Sequence, residues 1–390
     1  MREFSFPDPF LLNQLFMKSN LLRYTALKNK GIFIFLFAAL FCLANSKKEK
    51  ISEELDIDHE ILLENLHQPW EIIWGPDNQI WMSERGGLIS RVNPFTKKKV
   101  DILKIGEVIP RGEGGLLGMA LHPEFNTSPF VFVAYNYNSR HGYREKIVRF
   151  RFDGRTLVEP VMLLSEIDAA GIHNGCRLTI SRDKKLFIST GDAANTSLPQ
   201  NTRNLNGKIL RINLDGSIPA DNPKPGNAIW SYGHRNPQGL VFVHNKLFSS
   251  EHGPNSDDEI NIIEKDRNYG WPRVKGTCEG AERSFCTAND IMEPIKSWTP
   301  TIAVCGMDYY DSKAIPGWKN SLLLTTLKQS QLLQLKLNED QSRILETNIY
   351  LDDKYGRLRD VCISNVGVVY VCTGNGNNDK IVMITQKNKN

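Results

Sequence analysis

The chain has 390 residues, 41% of them hydrophobic and 24% charged, with 29 glycines and 19 prolines spread along its length. This fits one large all-β domain or two average domains with many short turns, and it excludes a largely disordered chain. The formal charge of +4 is partly local: residues 1–46 hold five basic and two acidic side chains, so the remainder carries +1 and gives no support for broad nucleic-acid binding.

In chain order, Lys28 and Lys30 first precede the apolar run GIFIFLFAALFCLA at 31–44, which NSKKEK follows. Fourteen residues are short for a bilayer span but suit the core of a secretory signal, with Ala44 and Ser46 as small residues before cleavage ahead of Lys47. The long stretch before Lys28 makes Met17 an alternative start. A second reading is a lipoprotein signal anchored at Cys42, against which stands the bulky Phe41. Both readings export the protein, periplasmic or secreted, and a lipid at Cys42 is the only membrane association expected. Residues 47–66 form an N-terminal segment that can supply an outer strand, and 67–387 the main body.

That body repeats one hairpin. WEIIWGPDNQIWMSE (70–84) is an apolar strand, a turn and a second apolar strand. It recurs as LLGMALHPEFNTSPFVFVAYN (116–136), CRLTISRDKKLFISTGD (176–192) and QGLVFVHNKLFSSEHG (238–253), then as MDYYDSKAIPGWKNSLLLTTL (307–327) and RDVCISNVGVVYVCTGN (359–375). Each copy leads into a further β-rich run, such as GKILRINLDG, whose Asp-Gly marks a tight turn. Six such units of four antiparallel strands predict a six-bladed β-propeller. A β-sandwich has no reason to repeat one hairpin six times.

In a propeller blade the inner strand starts on the face where the antiparallel second strand ends. Residues flanking these strands therefore crowd one mouth of the central channel. Before the inner strands stand Glu113, His173, Arg235 with Asn236, Thr301, and Arg357 with Arg359; after the second strands stand Asp192, the His252-Gly253-Pro254 bend and Lys328. Taken singly, such a His is usually structural and such an Arg or Lys is usually solvated. Converging on one rim, four permanent cations require anions, and Arg pairs carboxylates bidentately.

The bend EHGPNSDDE poses a separate choice. Gly, Pro, Asn, Ser and Asp are common turn formers, so a solvated turn is the plain reading. A calcium site is the other, because hard cations take oxygen ligands, including carbonyls exposed by a bend. Six cysteines follow the apolar run: Cys176, Cys278, Cys286, Cys305, Cys362 and Cys372. In an exported chain Cys278 and Cys286 are close enough for a local disulfide, while Cys362 and Cys372 fall on neighbouring strands as a bridge or as buried thiols. The lack of a Cys-x-x-Cys pair argues against a thiolate zinc site.

The segments GEGGLLGMALHPEF, HNGCRL, GKILRINLDGSIPADNP, GHRNPQG, EHGPNSDDEIN, NYGWP and GRLRDV, in this order from about Pro69 onward, resemble the soluble glucose and aldose-sugar dehydrogenases, which use pyrroloquinoline quinone and calcium on a six-bladed propeller. The resemblance implies that His173 is the general base and Asp192 its orienting carboxylate. It implies that Arg235 and Asn236 contact the quinone, and that Thr301, Lys328, Arg357 and Arg359 hold it, largely through its carboxylates. Glu113 stands where the family usually has Gln, so a carboxylate lies beside an anionic cofactor. Gly253 and Pro254 match the carbonyls that bind calcium, with Asp257 and Asp258 bracing the bend. Cys176 replaces a usual Gly, and Ile172 stands where the glucose enzymes have Asp. The implied partners are a small sugar and an external electron acceptor. A non-catalytic binding propeller would have no need for a base beside a carboxylate-binding cluster. A calcium-dependent lactonase would need several carboxylates converging on the metal, where mainly cations gather.

Overall fold

The computed structural model describes residues 50–51 and 57–387. The expected signal, its boundary at 46 and Cys42 lie outside the described residues. Six antiparallel sheets form, one for each predicted hairpin, as a six-bladed propeller. The first blade runs Pro69–Trp74, Ile80–Glu84, Leu88–Asn93 and Lys98–Lys104 from the inside outward. The other inner strands are Leu116–Leu121, Gly175–Ile180, Pro237–Val243, Val304–Tyr310 and Leu358–Ile363.

Burial falls from the axis outward, and the residue types follow it. Inner strands such as LLGMAL are covered on both faces by neighbouring blades and read as continuous apolar runs, whereas the outer strand KKVDILK is largely exposed. The core lies between blades: Leu117 and Phe132 pack with Leu178, Ile188 and Leu210 of the next blade, and Val243, Phe248 and Ile260 with Val304, Leu322 and Leu333. Removing one such Leu to Ala costs about 2–5 kcal/mol. Ile57–Leu66 pairs antiparallel with Asp379–Gln386, so the last sheet joins both ends of the ring.

Three features depart from four regular strands per blade. Lys50–Ile51 adds a short parallel strand to the outer edge of the fifth sheet. Every inner strand also carries a register irregularity at its mouth end, between Pro69 and Glu71, Leu116 and Met119, Gly175 and Leu178, Pro237 and Gly239, Val304 and Met307, and Leu358 and Asp360. Such bulges re-aim side chains; of the residues they release, Trp70, Leu117, Gln238 and Arg359 line the channel cavity. The third feature is residues 264–295, between the third and fourth strands of the fourth blade, which carry the Cys278–Cys286 disulfide and the short helix Arg283–Asn289. Cys176, Cys305, Cys362 and Cys372 are free and buried, so of the two readings for Cys362 and Cys372 the thiols stand.

Candidate active site

Four side chains close a ring at one mouth. His173 Nδ1 lies 2.8 Å from Asp192 Oδ1, and the Trp271 indole N–H donates to Asp192 Oδ2 at 2.9 Å. Arg235 Nη2 lies 3.1 Å from His173 Nε2, and the Arg235 guanidinium sits 5.3 Å from the centre of the Trp271 ring. A guanidinium only donates, so Nε2 accepts and the proton of a neutral imidazole is on Nδ1, facing Asp192. The loops are shaped for this. His173 adopts φ 58°, a left-handed conformation that costs a non-glycine residue energy and is seen at functional sites. A Cβ on Gly191 would sit 1.9 Å from the His173 carbonyl, so only glycine lets the Asp192 turn pass beneath the histidine.

Beside the ring lies a cavity of about 350 Å³, lined by Arg85, Arg357, Arg359, Glu113, Gln238, His252 and Trp70 among others. None of the three arginines makes an ion pair among the described residues. Partial burial, and to a lesser degree the neighbouring Arg359 guanidinium, lowers the pKa of both Arg85 and Arg357. The Nε atoms of Arg85 and Arg235 are buried without a hydrogen-bond partner among the described residues. Glu113, the cavity's carboxylate, accepts the His173 backbone N–H at 3.0 Å. Burial takes His252 down to about 4, so its ring is neutral, and Nε2–H donates to the Val304 carbonyl at 2.6 Å.

The Gly253-Pro254 bend adjoins this cavity through His252. A single carboxylate braces it: Asp258 accepts the N–H groups of Gly253 at 2.9 Å, Ile302 at 2.8 Å, Ala303 at 2.5 Å and Val304 at 3.3 Å. Burial raises the Asp258 pKa while those N–H groups pull it down. Neither the Gly253 nor the Pro254 carbonyl accepts a hydrogen bond among the described residues. Glu251, Asp257 and Glu259 lie around them. Among the described residues no three His, Cys, Asp or Glu side chains converge as a metal cluster, so a cation here would rely on carbonyl oxygens and on its ligand.

The structure therefore brings Glu113, His173, Asp192, Arg235, Arg357, Arg359, Gly253 and Pro254 to one mouth. Asn236 is buried there, its amide oxygen accepting the Gly175 N–H and the Gln238 amide. Lys328 is exposed and Thr301 half-buried, and neither lines the cavity; Thr301 is tied to the bend through its N–H on the Asn255 carbonyl. Cys176 is buried against Glu145, which burial raises to about 8. Sequence reasoning missed Arg85, Gln238 and Trp271. Arg85 follows the second strand of the first hairpin, the same rule that found Asp192. Gln238 needs the bulge, and Trp271 needs the long connection of the fourth blade.

Residues 66–383 match the glucose/sorbosone dehydrogenase family. Quinoprotein glucose dehydrogenase B of Acinetobacter calcoaceticus is 32% identical, covering 83% of this chain and 86% of that protein. An aldose sugar dehydrogenase of Escherichia coli is 30% identical, covering 87% and 95%. Among solved structures, the PQQ-bound aldose sugar dehydrogenase of Streptomyces coelicolor superimposes with a TM-score of 0.74 at 30% identity, over 85% of this chain and 98% of that one. The apo-form of the Escherichia coli enzyme gives 0.77 at 28%, over 85% and 100%. With a match along nearly the whole propeller and relatives at 30% identity or more, the chain belongs to the glucose/sorbosone dehydrogenase family and is an oxidoreductase.

Proposed function

We propose that the protein is an exported quinoprotein that oxidises the hemiacetal hydroxyl of an aldose to a lactone, with pyrroloquinoline quinone as hydride acceptor and calcium as its partner. The observation that carries this reading is the His173–Asp192–Arg235 arrangement beside a cavity whose guanidiniums make no ion pair among the described residues. A tricarboxylate quinone fits such a cavity, since it supplies the anions that Arg85, Arg357 and Arg359 lack. The free carbonyls of Gly253 and Pro254 fit a hard cation and would hold it. When bound, the quinone would supply a two-electron hydride acceptor for the sugar carbon, and calcium would supply Lewis-acid assistance to it.

The chain's own residues handle the other proton and the charge. His173 Nε2 takes the hydroxyl proton, the substrate hydroxyl replacing Arg235 as the donor to that lone pair. Asp192 keeps Nδ1–H directed at itself and offsets the imidazolium that forms. Arg235, freed from His173, would be available to offset negative charge on a bound acceptor. Arg357 and Arg359 would orient the cofactor, whereas Thr301, Lys328 and Asn236 do not line the cavity and would act on it only from outside. Asp258 keeps the metal bend in register. Ile172, 44% exposed beside His173, offers a sugar no acceptor where the glucose enzymes have Asp, which favours a range of aldoses over one. The decisive experiment is an optical titration of purified apo-protein with the quinone, with and without calcium, followed by dye reduction across a sugar panel. Calcium-dependent quinone binding and turnover are expected; quinone binding without any sugar oxidation would sink the proposal.

A further inference from the structure

We infer that Trp271 is a positioning residue for the His173–Asp192 pair, delivered to the site by the long connection of the fourth blade. This rests on reading His173 as the base. Asp192 is 1% exposed, so each of its oxygens needs a donor from the protein. Oδ1 accepts from His173 Nδ1 and from the Ala194 N–H at 2.8 Å. Oδ2 accepts from the Trp271 indole at 2.9 Å. Removing that N–H leaves a charged oxygen buried and short of a donor, and the full negative charge then bears on the imidazole.

The indole does a second job with its face. It supports Arg235 at 5.3 Å, and Arg235 in turn caps His173 Nε2. One side chain thus holds both the carboxylate behind the base and the guanidinium in front of it. The connection that carries it is pinned on several sides. The Trp271 N–H donates to the Gly233 carbonyl at 3.0 Å and Gln200 Nε2 donates to the Trp271 carbonyl at 2.8 Å. Further along, the Gly276 N–H reaches Glu259 at 2.8 Å, and the Cys278–Cys286 disulfide closes the tip. Such anchoring is more than a surface loop needs, and it fits a segment whose task is to keep one side chain in place.

The charged groups facing His173 are Asp192, Arg235 and Glu113, with Glu251 and Asp258 acting on Arg235 from behind. Trp271→Phe keeps the ring against Arg235 and deletes only the N–H. The His173 ring titration, followed by NMR in quinone-free and calcium-free protein, then moves upward by about one pH unit, the effect of a carboxylate that has lost a hydrogen-bond donor. In the loaded enzyme kcat falls about tenfold at unchanged KM. Gln200→Ala, which releases the Trp271 backbone and leaves the indole intact, moves the titration the same way by less, and it decides the matter should Trp271→Phe not fold. An unchanged or lowered His173 midpoint overturns the inference. Because that measurement needs no cofactor, its failure is distinct from failure of the wild-type protein to oxidise sugars, which would remove the base assignment instead.

Discussion

The two ends of the channel treat charge in opposite ways. At one end Arg85, Arg357 and Arg359 share a cavity with Glu113, and none has an ion-pair partner among the described residues. At the other, Arg177 is buried 2.6 Å from Glu71 and 3.0 Å from Asp360, over the face of Trp70 at 4.4 Å. The Asp360 carboxylate also accepts the Ile72 N–H. A buried charge must be paired or it is costly. At the second end two carboxylates of the protein pair the Arg177 charge, with only its Nη2 lacking a hydrogen-bond partner among the described residues, so these charges are architecture. At the first end Arg357 and Glu113 are exposed and Arg85 and Arg359 half-buried, so their charges are open to solvent and to an anionic ligand, the role proposed above for the quinone.

The largest effect expected on this contrast is at the base. His173→Gln should keep the fold and the quinone and lower kcat by about 10²–10⁴-fold, read by stopped-flow dye reduction; near-normal turnover would break the mechanism. Next come the arginines, where the two ends should separate. Arg359→Gln should weaken quinone binding by about 10–100-fold with little loss of stability, as for a lost charged hydrogen bond. Arg177→Met should leave quinone affinity nearly unchanged but destabilise the fold by about 3–5 kcal/mol in urea, because it strands buried carboxylates. If both variants lost affinity and neither lost stability, the division of the channel would be wrong.

A smaller effect is on pH. Burial, the largest cause, raises Asp308 in the structural end from its ordinary 3.8 to about 7. Between those values the folded protein holds a proton that the unfolded chain has released, so this group's contribution to stability is lost as pH rises from about 4 to about 7. Asp308→Asn should flatten that part of the Tm-against-pH curve; a parallel curve would show that the carboxyl is not the cause. The smallest effect is expected from Glu113→Gln. It removes a negative charge beside an anionic cofactor while keeping an acceptor for the His173 N–H, and should tighten quinone binding a few-fold, read as a dissociation constant at saturating calcium.

The repeat, the ring of blades and the choice of mouth were legible because a strand's period and a hairpin's direction are local properties of the chain. One geometric rule, applied to the residues flanking each hairpin, brought Glu113, His173, Asp192, Arg235, Arg357 and Arg359 to a single rim. The same rule applies to Arg85, which was passed over, and it gathers Lys328 and Thr301, which stand outside the cavity. Rim position fixes which mouth a residue serves, but not how far its side chain reaches. The six bulges have no sequence signature, since an unpaired residue in an apolar strand reads like its neighbours, and they turn Trp70, Gln238 and Arg359 into the channel. Trp271 was visible only as part of a motif. Its contact with Asp192 spans 79 positions of the chain and depends on how residues 264–295 fold back on the fourth blade. The sequence by itself determined the architecture, the face and most of the charges on it. Which of those charges are paired with each other, and which are not, was decided by the tertiary structure, because pairing depends on distances between side chains that no local pattern records.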